Sequence, residues 1–168
     1  MAKMFVPDLS KHEIRILDAG AGTGILVSAL VGRLRRDGYT GKISVTCYEN
    51  DMKVMDILVS NLERLKSDAG IQYTIRCESY ILSQEFESKG LFANGVDTYD
   101  MIIGNPPYLK ISKDAPEAKA MPSVCHGAPN LYFLFFAMGI RNLADGQELI
   151  GQELTEQNCN KIVDKWIR

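Results

Sequence analysis

The chain has 168 residues, is 46% hydrophobic and 24% charged, and carries a formal net charge of −2. That is the composition of a soluble globular protein, long enough for one domain with its own core. A self-sufficient nucleic-acid-binding domain is more often basic, so any strong phosphate grip is expected to lie elsewhere.

Met1 to Ser10 lack the basic start and apolar stretch of a signal peptide. Apolar runs throughout fall short of the roughly 20 residues that cross a bilayer. The four cysteines, Cys47, Cys77, Cys125 and Cys159, form no CxxC pair, so neither a zinc site nor a disulfide framework is predicted. Cys47 and Cys77 read as small buried thiols in strand-like runs, and a reducing cytoplasm is the expected compartment.

In chain order, Ile14 to Leu17 reads as a strand and is followed by a glycine-rich turn. Ile25 to Arg36 has Leu26, Leu30, Val31 and Leu34 at helical spacing. Gly38 and Gly41 break that helix, and Lys42 to Tyr48 is a second strand. Asp51 to Ser67 is a helix with Val54, Ile57, Leu58, Leu62 and Leu65 on one face. Ile71 to Cys77 and Tyr99 to Ile103 are two further strands.

The stretch from Asn105 to Pro129 is rich in proline and nearly aperiodic, which marks a functional or disordered loop. Asn130 to Leu143 reads as a buried helix with Asn130 as N-cap. Asp145 and Gly146 read as a turn, and QELIGQELTEQ beyond them is too polar for a central strand. Asn160 to Ile167 is expected to form a short terminal helix. Alternating strands and helices predict an α/β fold of Rossmann-like type, a mainly parallel sheet with helices on both faces.

The turn DAGAGTG, from Asp18 through Ala19, Gly20, Ala21, Gly22 and Thr23 to Gly24, closes the first strand and opens the first helix. Glycines allow the backbone to turn tightly and approach a ligand. The spacing is not the GxGxxG that seats a pyrophosphate, and a leading carboxylate suits a cationic or amine-bearing ligand. Glu49 and Asn50 end the second strand, where an acid reaches ribose hydroxyls in doubly wound folds. A nucleoside with an amino-acid tail instead of phosphates matches both features, and S-adenosylmethionine is such a molecule.

At the end of the fourth strand stands GNPPY, residues 104 to 108. Its strand is expected to lie beside the first, on the side away from the second, so the corner borders the same crevice. Asn105 offers a side-chain carbonyl, and Pro106 has no N–H and holds its neighbouring carbonyls in fixed directions. Two acceptors aimed at an exocyclic NH₂ draw the nitrogen lone pair out of conjugation and toward an electrophile. Tyr108 supplies a face for a planar base. A plain structural turn is the competing reading of Pro106 and Pro107.

Asp18 to Gly24 resembles motif I, and Asn105 to Tyr108 resembles motif IV, of the amino-methyltransferases. The chain is most similar to the adenine-N6 DNA methyltransferases of restriction–modification systems in which the cofactor motif comes first. Asn130, Leu131 and Tyr132 resemble that group's motif V, and the likeness covers residues 14 to 146.

The resemblance implies one methyltransferase catalytic domain over 1–168, partial and without a visible target-recognition domain, acting on DNA with S-adenosyl-L-methionine. It implies cofactor contacts by Asp18, Ala19, Gly20, Gly22, Gly24, Glu49, Asn50, Ser79 and Asn105. Ser79 stands where the family usually has an aspartate for the cofactor's adenine amine, with Glu78 beside it. Catalysis would rest on Asn105, Pro106, Pro107 and Tyr108, with the target base flipped from the duplex.

No metal is implied. A separate recognition domain or subunit is a possible partner. The alternatives are a protein glutamine-N5 methyltransferase using the same corner, an RNA guanine-N2 methyltransferase, and a non-catalytic cofactor- or DNA-binding subunit. Arg33, Arg35 and Arg36 read as surface cations at a helix C-terminus; Tyr132, Phe133, Phe135 and Phe136 offer the lining of a base pocket, but read mostly as core. His126 receives no role.

Overall fold

Five segments become the strands of one parallel sheet in the computed structural model, which describes residues 1–89, 97–125 and 129–151. The strands are β1 (Glu13–Ala19), β2 (Lys42–Tyr48), β3 (Gln72–Arg76), β4 (Tyr99–Gly104) and β5 (Leu143–Gly151), in the order β3-β2-β1-β4-β5. β1 pairs with β2 from Glu13↔Lys42 to Ala19↔Tyr48 and with β4 from Ile16↔Met101 to Asp18↔Ile103. The strand order reverses direction between β1 and β4, which opens a crevice at their C-terminal ends. Glycine turn and GNPPY corner are therefore neighbours, as the chain-order reading expected.

The helices are α1 (Ile25–Arg36), α2 (Met52–Ala69), α3 (Tyr80–Lys89), α4 (Pro116–Ala120) and α5 (Leu131–Arg141). Period-two alternation along β1 sends Ile14 and Ile16 to one face and Leu17 and Ala19 to the other. The first pair joins Val27, Leu30, Val31 and Leu34 of α1 and Met55, Leu58 and Leu62 of α2 in one core. The second pair joins Tyr80 and Ile81 of α3, Met121 beyond α4, and Leu134 and Met138 of α5. Each aliphatic side chain so buried contributes about 1.5–3 kcal/mol. Local signals set the helix ends: the Asp51 carboxylate accepts from the Lys53 amide at 2.9 Å, and Asn130 Oδ1 accepts from the Tyr132 amide at 3.0 Å.

Three expectations need correction. Asp145 and Gly146 are not a turn after the last helix but lie within β5, which runs parallel to β4. The register jumps from Tyr99↔Leu143 to Met101↔Glu148, so β5 carries extra residues over that stretch. A ladder is made by backbone groups, so polar side chains do not forbid it. Cys77 is exposed just beyond β3, unlike the buried Cys47. The long stretch after the corner is also not structureless: α4 lies inside it, and a Lys110↔Asn130 bridge pins its two ends together. α3 had no counterpart in the sequence reading, its apolar residues being too few for a clear helical stripe. Cys159, His126 and the terminal helix expected over 160–167 lie outside the described residues.

The first-helix arginines staple backbone. Arg33 donates to the carbonyls of Ala2 (2.6 Å) and Phe5 (2.8 Å), and Arg35 to those of Ala69, Tyr39 and Gly41. Among the described residues, no helix is long and apolar enough to cross a membrane.

Candidate active site

The glycine turn takes its shape from backbone conformations that side chains resist. Gly20, Gly22 and Gly24 all have positive φ, 74°, 56° and 75°. Gly24 is also the N-cap of α1, and a Cβ there would stand 2.9 Å from Leu58 Cδ1. The amides of Gly20 and Ala21 both donate to the Tyr48 carbonyl at 2.9 Å, which binds the turn to the tip of β2.

Glu49 completes that attachment. Its Oε2 accepts from the Gly22 amide at 2.7 Å, and its Oε1 accepts from the amides of Asn50 and Asp51, each at 2.8 Å. A carboxylate offers about four acceptor positions, so capacity remains on Oε2. The sequence reading assigned Glu49 a ligand contact and missed that it also clamps the turn.

Asp18 is placed differently from the expectation. Its side chain is fully buried at the end of β1, and neither carboxylate oxygen closes a hydrogen bond. Burial raises its carboxyl from 3.8 to about 7, with the nearby Glu49 carboxylate acting in the same direction and the Val27 amide at the start of α1 opposing both. Burial, and then Asp18, push the Cys47 thiol up. Asp18 thus lies beneath the turn, not on the cleft surface.

At the other side of the crevice, Gly104 brings β4 against β1, and a Cβ there would sit 3.2 Å from the Ala19 carbonyl oxygen. The chain then splits its corner between two surroundings. Pro106 is buried and shares a small void of about 10 Å³ with Ala19, Gly104 and Phe135, whereas Asn105 and Pro107 are exposed to the cleft. Tyr108 stacks on Tyr132 of α5, with ring centroids 4.6 Å apart and planes at 19°. One face of Tyr108 is thereby engaged by protein, and the residue is still 52% exposed. Of the aromatic residues on α5, Tyr132 and Phe136 are core, Phe133 is exposed, and Phe135 lines the cleft.

A buried polar network backs the cleft. Tyr80 O–H donates to Asn142 Oδ1 (2.7 Å), Asn142 Nδ2 donates to Gln84 Oε1 (2.6 Å), and Gln84 Nε2 donates to the Tyr48 hydroxyl (2.9 Å). Asn142 also caps α5 and accepts from the Tyr99 amide at the start of β4. Through it the rings of Tyr48 and Tyr80, 5.1 Å apart, are held beside Phe135. Burial keeps the Tyr80 phenol well above its ordinary value, so it stays a donor.

The cleft between these parts has a volume of about 330 Å³, within the span of small-molecule sites, roughly 300–1,000 Å³. Of the residues named from sequence, Gly20, Glu49, Asn50, Ser79, Asn105 and Pro107 meet in its walls. Asp18, Ala19, Gly22, Gly24, Pro106 and Tyr108 do not line it. Sequence reasoning missed Tyr48, Tyr80, Glu117 and Leu131 as lining residues and weighed Phe135 for a pocket without choosing it; the aromatics just before Glu49 and just after Ser79 were the signal for two of the others.

Among the described residues, Glu49, Glu78 and Glu117 are the charged ones that line it, with no Lys, Arg or His beside them. Such a wall repels polyphosphates and suits a ligand carrying positive charge. Aromatic residues for a planar ring, a strand-tip carboxylate and a glycine without a Cβ atom together fit a nucleoside with an amino-acid tail. No group of His, Cys, Asp and Glu that could hold a metal ion occurs among the described residues.

The model of the Eco57I restriction-modification methylase family matches residues 36–151. Two curated relatives match most of the chain. The Type II methyltransferase M.PstI of Providencia stuartii is 34% identical over 154 residues, 89% of this chain and 30% of the relative. The Type II methyltransferase M.BsuBI of Bacillus subtilis is 29% identical over 153 residues, with the same shares of 89% and 30%. The chain thus spans about 30% of the length of the curated relatives it matches.

A solved structure from Listeria monocytogenes, described as a class I S-adenosylmethionine-dependent methyltransferase, superposes with a TM-score of 0.62 at 18% identity. It covers 93% of this chain and 46% of the other. A second methyltransferase structure, complexed with SAH, superposes with a TM-score of 0.52 at 15% identity over 90% of this chain and 35% of the other. The fold is that of the class I methyltransferases.

Proposed function

The chain belongs to the Eco57I restriction-modification methylase family, and from that premise we propose that it forms the cofactor and target-amine site of a DNA methyltransferase that methylates the N6 amine of adenine. The observation that carries this reading is that Asn105 and Pro107 share one cleft with Gly20 and Glu49. The cofactor is S-adenosyl-L-methionine, which supplies a methyl group on a positively charged sulfur. DNA is the partner, and the cytoplasm the compartment.

Gly20 admits the cofactor's backbone-like tail to the turn, Glu49 turns its remaining acceptor position toward ribose hydroxyls, and the Tyr48 and Tyr80 rings face its base. Asn105 accepts one hydrogen of the target amine through its side-chain carbonyl, and the Pro106 carbonyl accepts the other. Holding both hydrogens keeps the amine in line for transfer, and positioning of this kind supplies much of a methyltransferase's rate. Tyr108 backs the flipped base, with Tyr132 supporting it from behind.

The test is transfer of labelled methyl from S-adenosylmethionine to adenine-containing duplex DNA. Label on DNA that resists replacement of adenine by its N6-deleted analogue would exclude the adenine reading. Cofactor binding without transfer to DNA, glutamine-bearing protein or structured RNA would instead mark a non-catalytic module.

A further inference from the structure

We infer that Glu117 is a specificity-determining residue of the cleft, favouring the sulfonium cofactor over its demethylated thioether product; this rests on the cofactor reading above. Three carboxylates among the described residues line the cleft, but they are not equivalent. Glu49 accepts three backbone amides, and Glu78 pairs with Arg76 at 3.5 Å. The Glu117 side chain has no hydrogen-bond or ion-pair partner among the described residues.

Its position is set by α4, whose Ala118 is buried and is followed at once by the buried Met121. These two anchors bring Glu117 to the wall it shares with Asn105, Pro107 and Leu131. That is the amine-binding side of the cleft, where the reacting sulfur and nitrogen have to meet. Beneath the opposite wall lies Asp18, fully buried with both oxygens unpartnered. Glu117 is therefore the lining carboxylate left without a hydrogen-bonding or charged partner among the described residues.

A carboxylate without an ion pair attracts a cation placed beside it. S-adenosylmethionine carries a positive sulfur; S-adenosylhomocysteine has the same nucleoside and amino-acid ends without that charge. Glu117 attracts the first and is indifferent to the second. The consequence is preferential binding of fresh cofactor and easier release of product.

The experiment is calorimetric titration of the 168-residue chain and its Glu117→Gln variant with each compound at low salt. For Glu117→Gln the preference for S-adenosylmethionine over S-adenosylhomocysteine falls by about three- to tenfold, almost wholly through the first compound. Glu117→Asp keeps most of the preference. An unchanged ratio, or equal weakening of both compounds, overturns the inference while leaving the cofactor reading intact. Failure of the unsubstituted chain to bind either compound overturns both. If Glu117→Gln does not fold, raising salt on the unsubstituted chain must weaken S-adenosylmethionine more than S-adenosylhomocysteine, and a ratio independent of salt sinks the inference.

Discussion

The Glu49 carboxylate accepts the Gly22 amide proton at 2.7 Å and makes the tip of β2 and the glycine turn a single unit. With the Asn50 and Asp51 amides on its other oxygen, it organises backbone that a ligand must then meet. Replacement Glu49→Gln turns one acceptor oxygen into a donor facing amide N–H groups. The expected outcome is a loss of about 1–3 kcal/mol of folding stability and at least a tenfold loss in affinity for S-adenosylmethionine. Denaturant unfolding and calorimetry measure the two, and an unchanged midpoint would mean that the turn is held without Glu49.

The glycines of the turn should not respond alike to alanine. Gly22 has φ 56° with nothing within 4 Å of an added Cβ, so Gly22→Ala costs only the left-handed penalty, about 1–2 kcal/mol. Gly24→Ala adds a 2.9 Å approach to Leu58 Cδ1, and overpacking of that kind costs about a further 1–3 kcal/mol. Urea titrations should rank Gly24→Ala below Gly22→Ala; the reverse order would contradict the packing seen at Leu58.

The Asn142 amide is the hub of the buried network, satisfying Tyr80, Gln84 and the Asp97 carbonyl at once. Asn142→Ala leaves buried polar groups without partners, each costing about 1–3 kcal/mol. A total loss of roughly 2–4 kcal/mol in unfolding free energy is expected, together with exposure of the tyrosines in near-ultraviolet circular dichroism. A loss under about 0.5 kcal/mol would show that the network contributes little.

Asp18 makes stability depend on pH in a direction opposite to that of an ion-paired carboxylate. Its folded carboxyl titrates at about 7 against 3.8 when unperturbed, so the folded state holds an extra proton between those values. Its favourable contribution is complete below about pH 4 and is lost as pH rises through 7. Asp18→Asn removes the titration. Measured from pH 5 to 8, the stability of Asp18→Asn relative to the unsubstituted chain should rise by about 2–3 kcal/mol. Parallel pH curves for the two proteins would contradict a buried, unpaired carboxyl.

Local patterns in the chain were sufficient for much of the architecture. The limits of α1 and β2 coincide with those read from apolar periodicity, because burial of one face imposes that spacing on any helix or strand. The Asn130 cap and the DAGAGTG turn were equally legible, since capping and positive φ depend on residues a few positions apart. The adjacency of the turn and the GNPPY corner followed from strand order in a doubly wound sheet.

Tertiary structure alone decided what those local signals could not contain. Whether QELIG could form a strand depended on β4 being there to pair with it, not on its own polarity. That Asp18 lies beneath the turn, that Pro106 packs inward while Pro107 faces the cleft, and that Glu117 reaches the cleft at all are outcomes of three-dimensional packing. Periodicity records which side of an element is buried; the partners it is buried against come from residues tens of positions away, and only the folded chain brings them into contact.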